Sequence, residues 1–135
     1  MISKFDIINA SAGSGKTFAL TQRILVKILK SKDENYFKRI LALTFTNRAA
    51  EEMKSRILNA LKDFSNPKII GNPSVMFVQV KKELKFPSDK INRLSKERLN
   101  LLLHNYSFFQ IETLDSFNHH IIRSFSKELN LDPDF

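Results

Sequence analysis

Ser14, Gly15, Lys16 and Thr17 stand between a short apolar run and a longer helical one. Residue types and spacing of this kind suit phosphate binding. Ala10, Ser11, Ala12 and Gly13 precede them, so residues 10–17 are all small or polar, and two of the three glycines in the chain fall here. Such a segment lets consecutive backbone N–H groups curl around a polyphosphate. The start of the following helix adds a positive dipole at the same point. Lys16 is placed to reach β- and γ-phosphates, and the Thr17 hydroxyl to hold Mg²⁺. Residues 10–17 are therefore the candidate cofactor loop, with Lys16 and Thr17 as candidate catalytic residues and Thr17 as the metal ligand. The usual phosphate-loop pattern has Gly five positions before Gly15, where this chain has Ala10. The plainer alternative is a small-residue turn that caps a helix and leaves Lys16 solvated.

A second group lies at Phe45, Thr46, Asn47 and Arg48, where an apolar run gives way to a helical pattern. In open α/β sheets the carboxyl edge of the strands is where ligands bind. Phe45 can offer a ring face to a base. Thr46, Asn47 and the first N–H groups of the helix can hold phosphates, and Arg48 adds charge. A third run ends in the same way at Thr113 and Ser116. Three strand ends thus converge on one edge. One suits a nucleotide, and two suit a nucleic-acid backbone. The plainer reading makes Phe45 the last core residue of its strand.

The elements that must position these residues follow from periodicity. Residues 5–9 read as a strand and residues 16–30 as a helix with Leu20, Ile24 and Ile28 at four-residue spacing; Ala19, Val26 and Leu29 widen its apolar surface. Residues 40–45 form a continuous apolar run, as a buried parallel strand should. Thr46 or Asn47 can cap the next helix, whose apolar face is Met53, Ile57, Leu61 and Phe64. Pro67, Gly71, Pro73 and Pro87 punctuate residues 65–90, which read as a surface excursion with a short helix near 75–85. A helix is expected over 95–104 with Leu99, Leu102 and Leu103 on one face, then a strand over 108–113. Thr113 caps a last helix, ended by Asp132 and Pro133, whose stripe of Phe117, Ile121, Phe125 and Leu129 reads as core. Alternation of this kind predicts an α/β fold with a partial parallel sheet and flanking helices.

Composition narrows the class. The chain has 135 residues, 42% of them hydrophobic, with twelve Phe and no Cys. That is one domain with a real core, without disulfides, thiolate metal sites or a cysteine nucleophile. No apolar run approaches the roughly 18 residues of a membrane span, and the N-terminus lacks signal-peptide character. A cytoplasmic protein with no membrane role is expected. The formal net charge of +8 favours an anionic partner.

On these residues the chain resembles the UvrD/Rep superfamily 1 DNA helicases. Residues 10–17 are similar to their motif I, in which Ala at position 10 is ordinary. Residues 40–57 resemble motif Ia, and residues 111–117 the next motif, usually written Thr-x-His-Ser-Phe. The resemblance runs from about Ile7 to Leu131 in the family's order. The form of residues 10–13 and the ending at residues 121–129 resemble the bacterial RecB/AddA-like helicase–nuclease branch. It implies a P-loop NTPase, RecA-like fold, with residues 1–135 as the N-terminal part of helicase domain 1A and residues 66–105 an excursion from it. It further implies that Lys16 and Thr17 bind the phosphates of ATP and Mg²⁺. Phe45 would meet a base of single-stranded DNA, while Thr46, Asn47, Thr113 and Ser116 touch its backbone or shape the channel. Asp115 stands where the family usually has His, and Phe18 where many members have Arg; no Gln precedes Lys16. Family members are much longer, so this chain is expected to stop before the acidic Walker B strand and the second RecA-like domain. It would then be inactive alone, prone to self-association, and completed by a nuclease or helicase partner subunit.

Two rivals remain open at this point: a small stand-alone P-loop nucleotide-binding protein or kinase, and a basic nucleic-acid-binding module with a vestigial anion site. Residues 108–115 can be misread as a Walker B strand, but Gln110 and Glu112 interrupt it. His119 and His120 diverge by about 100° on a helix and have no third ligand, so they read as surface or DNA-proximal histidines. Lys81, Lys82, Lys85 and Lys90 read as a solvated face.

Overall fold

The computed structural model describes residues 6–9 and 14–130, with side chains from Thr17 onward. Residues 10–13, the side chains of Ser14, Gly15 and Lys16, and the expected stop at Asp132 and Pro133 lie outside the described residues. Three strands, β1 (Asp6–Asn9), β2 (Ile40–Thr44) and β3 (Gln110–Thr113), form one parallel sheet in the order β1-β2-β3. Asp6 pairs with Ile40 and Asn9 with Leu43; Leu41 pairs with Gln110 and Thr44 with Thr113. The three carboxyl ends therefore lie side by side.

Helix α1 (Ser14–Lys30) leaves β1, and α2 (Asn47–Ser65) leaves β2. Ile24, Leu25, Ile28 and Leu29 of α1 are buried, as the doubled apolar surface requires. All four residues of the expected α2 face, Met53, Ile57, Leu61 and Phe64, are buried as well. Thr46 starts α2 in extended geometry, and its Oγ1 accepts from Ala49 N at 3.0 Å.

Residues 66–105 are packed rather than laid over the surface. They hold α3 (Lys68–Gly71), α4 (Val75–Leu84) and α5 (Ser88–His104). Ile69, Phe77, Val80, Leu84, Ile91 and Leu102 join the main core, where Phe77 meets Phe64 edge-on with centroids 5.1 Å apart. Ser74 caps α4, its Oγ accepting from Phe77 N at 3.2 Å.

Five expectations need correction. Helix α5 begins at Ser88 rather than Ser95, because Pro87 sits in extended geometry just before the first turn. Its buried stripe is Ile91, Asn92, Ser95, Arg98 and Leu102, while Leu103 is exposed. Strand β2 stops at Thr44, one residue short of Phe45, and β3 starts at Gln110, after a 3-10 turn over Tyr106–Phe108. The apolar stripe of α6 (Leu114–Glu128) is not core: Ile121, Phe125 and Leu129 are exposed. The helix packs chiefly on β3 and β2 and nothing described covers its outer side.

The polar members of the α5 stripe have a structural task. Asn92 Nδ2 donates to Phe64 O at 2.8 Å and to Asn66 O at 3.2 Å, closing the carboxyl end of α2. Arg98 Nε donates to Ile28 O at 3.3 Å and Nη2 to Ser31 O at 3.1 Å, closing α1 in the same manner. One helix thereby satisfies the orphan carbonyls of two others.

Candidate nucleotide and nucleic-acid interface

The first turn of α1 is formed by Ser14, Gly15, Lys16 and Thr17, directly downstream of β1. That turn contains no acidic residue, so the positive end of the helix is not neutralised from within. Thr17 is half-buried, and its carbonyl accepts from Thr21 Oγ1 at 2.8 Å. Phe18, which follows, is exposed.

Beside it, the chain leaves β2 through a tight exit. Thr44 Oγ1 lies 3.0 Å from Thr46 O and 3.3 Å from Glu112 O, so a single buried hydroxyl ties the exit of β2 to β3. Phe45, outside the strand, is 68% exposed. A terminal core residue would not leave that much ring in water. Asn47 and Arg48 follow as the first residues of α2, and their N–H groups precede the capped one. Arg48 Nε meets Glu52 Oε1 at 3.2 Å, with the Arg side chain 90% exposed. An exposed pair of this kind is worth at most about 1 kcal/mol and yields easily to a phosphate.

The third strand end is organised differently. Thr113 is buried; its Oγ1 accepts from Ser116 N at 3.2 Å and donates to Ser116 Oγ at 3.0 Å. The single proton of Thr113 is thus spent on Ser116, leaving the Ser116 proton as the outward donor. Thr113 orients, and Ser116 is the group that can touch a ligand.

Between the starts of α2 and α6 lies a cleft of about 260 Å³, lined by Asn47, Lys54, Glu112, Ser116 and His120 among others. The structure adds a residue here that the residue types alone did not single out. Glu112 is 15% exposed in its side chain, and its Oε1 lies 3.2 Å from His120 Nδ1, while Oε2 has no partner. A carboxylate within the cleft disfavours an anion there; Phe45, Asn47 and Arg48 stand on the side of the α2 start. The signal in the sequence was a charged residue inside a short strand next to a helix-capping Thr. No group of three or more metal-ligating side chains occurs among the described residues. No described helix is long and apolar enough to cross a membrane.

The chain matches the UvrD/REP helicase N-terminal domain family over residues 3–135. It is 35% identical to an ATP-dependent helicase/nuclease subunit from Bacillus cytotoxicus and 31% identical to one from Lactococcus lactis subsp. cremoris. A protein of the same description from Bacillus mycoides is 33% identical. Each similarity covers 96% of this chain, which spans only 8–9% of the length of these relatives. No solved structure gives a significant match. Because that match takes in residues 3–135 of its 135, the chain belongs to the UvrD/REP helicase N-terminal domain family.

Proposed function

We infer that this chain is the ATP-binding, single-stranded-DNA-contacting part of an ATP-dependent DNA helicase or helicase–nuclease acting in recombination and repair. In this reading residues 1–135 are the N-terminal part of a RecA-like, P-loop domain 1A that works in the cytoplasm. The observation that carries it is the exposed Phe45 ring beside two adjacent helix starts, on the edge where α1 also begins. ATP supplies the phosphate-transfer energy when bound. Ala10 to Thr17 cradle its phosphates, Lys16 neutralises them, and the Thr17 hydroxyl holds Mg²⁺. The unneutralised first turn of α1 fits such an anion. Single-stranded DNA crosses the rim, with a base on Phe45 and phosphates on Thr46, Asn47, Arg48 and Ser116, which Thr113 orients. A nuclease or helicase partner subunit completes the machine, in keeping with the relatives' names, which make each of them one part of a helicase/nuclease.

Two titrations test this. Lys16→Ala should abolish binding of Mg²⁺–nucleoside triphosphate while preserving the fold. Phe45→Ala should weaken oligothymidine binding by about 1–3 kcal/mol with little change in salt slope, because stacking carries no counterion release. Arg48→Ala should instead lower the slope. Unchanged affinity of the Phe45→Ala protein for oligothymidine defeats the DNA assignment. Unchanged nucleotide affinity of the Lys16→Ala protein defeats the loop assignment. Robust hydrolysis by the chain alone would favour a complete small nucleotide enzyme.

A further inference from the structure

On the packed excursion, away from the strand-end cleft and sharing no residue with it, lies a larger concave groove of about 630 Å³. It falls within the range of ligand sites. Its apolar lining is formed by Ile70, Pro73, Phe77 and Val78, with Phe86 and Pro87 at one end. Ile70 and Val78 are both exposed there. Lys81, Lys82 and Lys85 also line the groove, and no acidic residue does. Lys81 Nζ donates to Ser88 Oγ at 2.8 Å, and neither Lys82 nor Lys85 has an ion-pair partner among the described residues. The nearby Glu83 is turned aside, accepting from Gln22 Nε2 at 3.1 Å.

Lys85 carries a second oddity. It ends α4 in the left-handed region, at φ 59°, the position where helices usually place Gly. A side chain there costs about 1 kcal/mol relative to Gly. The chain accepts that cost and keeps a third ammonium group at the groove.

We propose that this lysine-lined apolar groove docks an acidic peptide segment of a partner protein, with an aliphatic or aromatic side chain seated between Ile70 and Val78 and carboxylates on Lys81, Lys82 and Lys85. Charge complementarity selects the acidic flanks, and the apolar lining selects the anchor. Nucleic acid fits less well because no bare ring is offered for stacking. Phe77 is 1% exposed, and Phe86 has the Lys90 ammonium 4.0 Å from its ring centroid. The proposal is independent of the nucleotide and DNA assignments.

The test uses the full 135-residue chain and a fluorescein-labelled peptide in which Asp and Glu alternate with Leu and Phe. Anisotropy should show saturable binding. Lys82→Glu combined with Lys85→Glu, and separately Val78→Asp, should each weaken it by roughly tenfold or more. Lys85→Gly is the discriminating variant. It should raise the melting temperature, by relieving the left-handed lysine, and still weaken the peptide a few-fold. Absence of saturable binding, or equal affinity in the charge-reversed protein with its melting curve intact, overturns the proposal. So does competitive displacement of the peptide by oligothymidine together with an equal loss of oligothymidine affinity in the charge-reversed protein, which would assign the groove to nucleic acid.

Discussion

Arg98 is 4% exposed, and its guanidinium spans two carbonyls at the end of α1 while Nη1 lies 3.6 Å from Glu97 Oε2. Its value lies in the acceptors it satisfies. Arg98→Met keeps much of the aliphatic bulk yet leaves Ile28 O and Ser31 O without this donor, so it should cost about 2–3 kcal/mol in denaturant unfolding. A neighbour one turn earlier predicts the opposite sign. Ser95 is fully buried and its Oγ has no partner, so Ser95→Ala should be neutral or stabilise by up to about 1 kcal/mol. If Arg98→Met melts like the wild type, the helix-end role assigned to Arg98 is wrong. Neither residue was legible as core, because a buried arginine and a buried serine are invisible to any reading that equates burial with apolarity.

At the scale of the elements, α2 and β2 were legible because each is regular in the way its environment demands. Met53, Ile57, Leu61 and Phe64 recur at helical spacing and meet the core, and the unbroken run at residues 40–44 is covered on both faces. Helix α5 was half-legible. Three of the five residues on its buried stripe are polar, so the apolar period vanishes over its first half. Helix α6 failed in the other direction. Its period is a true helical one, but which side is buried depends on what packs there, and that is not written in the helix itself. Of the candidate site, the capping threonines and exposed Phe45 were legible from residue types at strand ends. The Glu112–His120 contact was not, since it joins a strand to the second turn of a helix. Local capping offers a clean check on the excursion: Ser74→Ala removes the acceptor for Phe77 N and should cost about 1 kcal/mol, whereas Ser74→Asp should retain stability in the same unfolding measurement.

For the molecule as a whole, a charge of +8 and an incompletely covered apolar surface act against each other. Among the described residues, both outer strands, β1 and β3, have one side not paired within the sheet, and Leu114, Ile121, Ile122 and Phe125 are exposed along α6. Unpaired strand edges and apolar patches of this kind favour contact between copies. Like charge opposes it, and salt screens like charge over about 10 Å at 0.1 M. In the function proposed above the same charge serves single-stranded DNA, where salt acts the other way: affinity should fall with a log–log slope of roughly 0.7 per phosphate neutralised. Raising salt should therefore increase self-association, followed by sedimentation velocity, while it weakens oligothymidine binding in a parallel titration. Replacing Ile121 and Phe125 by Lys should restore a monomer at high salt and leave the DNA slope nearly unchanged, because neither residue lies on the rim formed by Phe45, Asn47, Arg48 and Ser116. A chain that remains monomeric across the whole salt range would show that these edges and this face are too small or too well solvated to associate. Loss of the DNA slope in the Ile121→Lys, Phe125→Lys protein would move the nucleic-acid path onto α6.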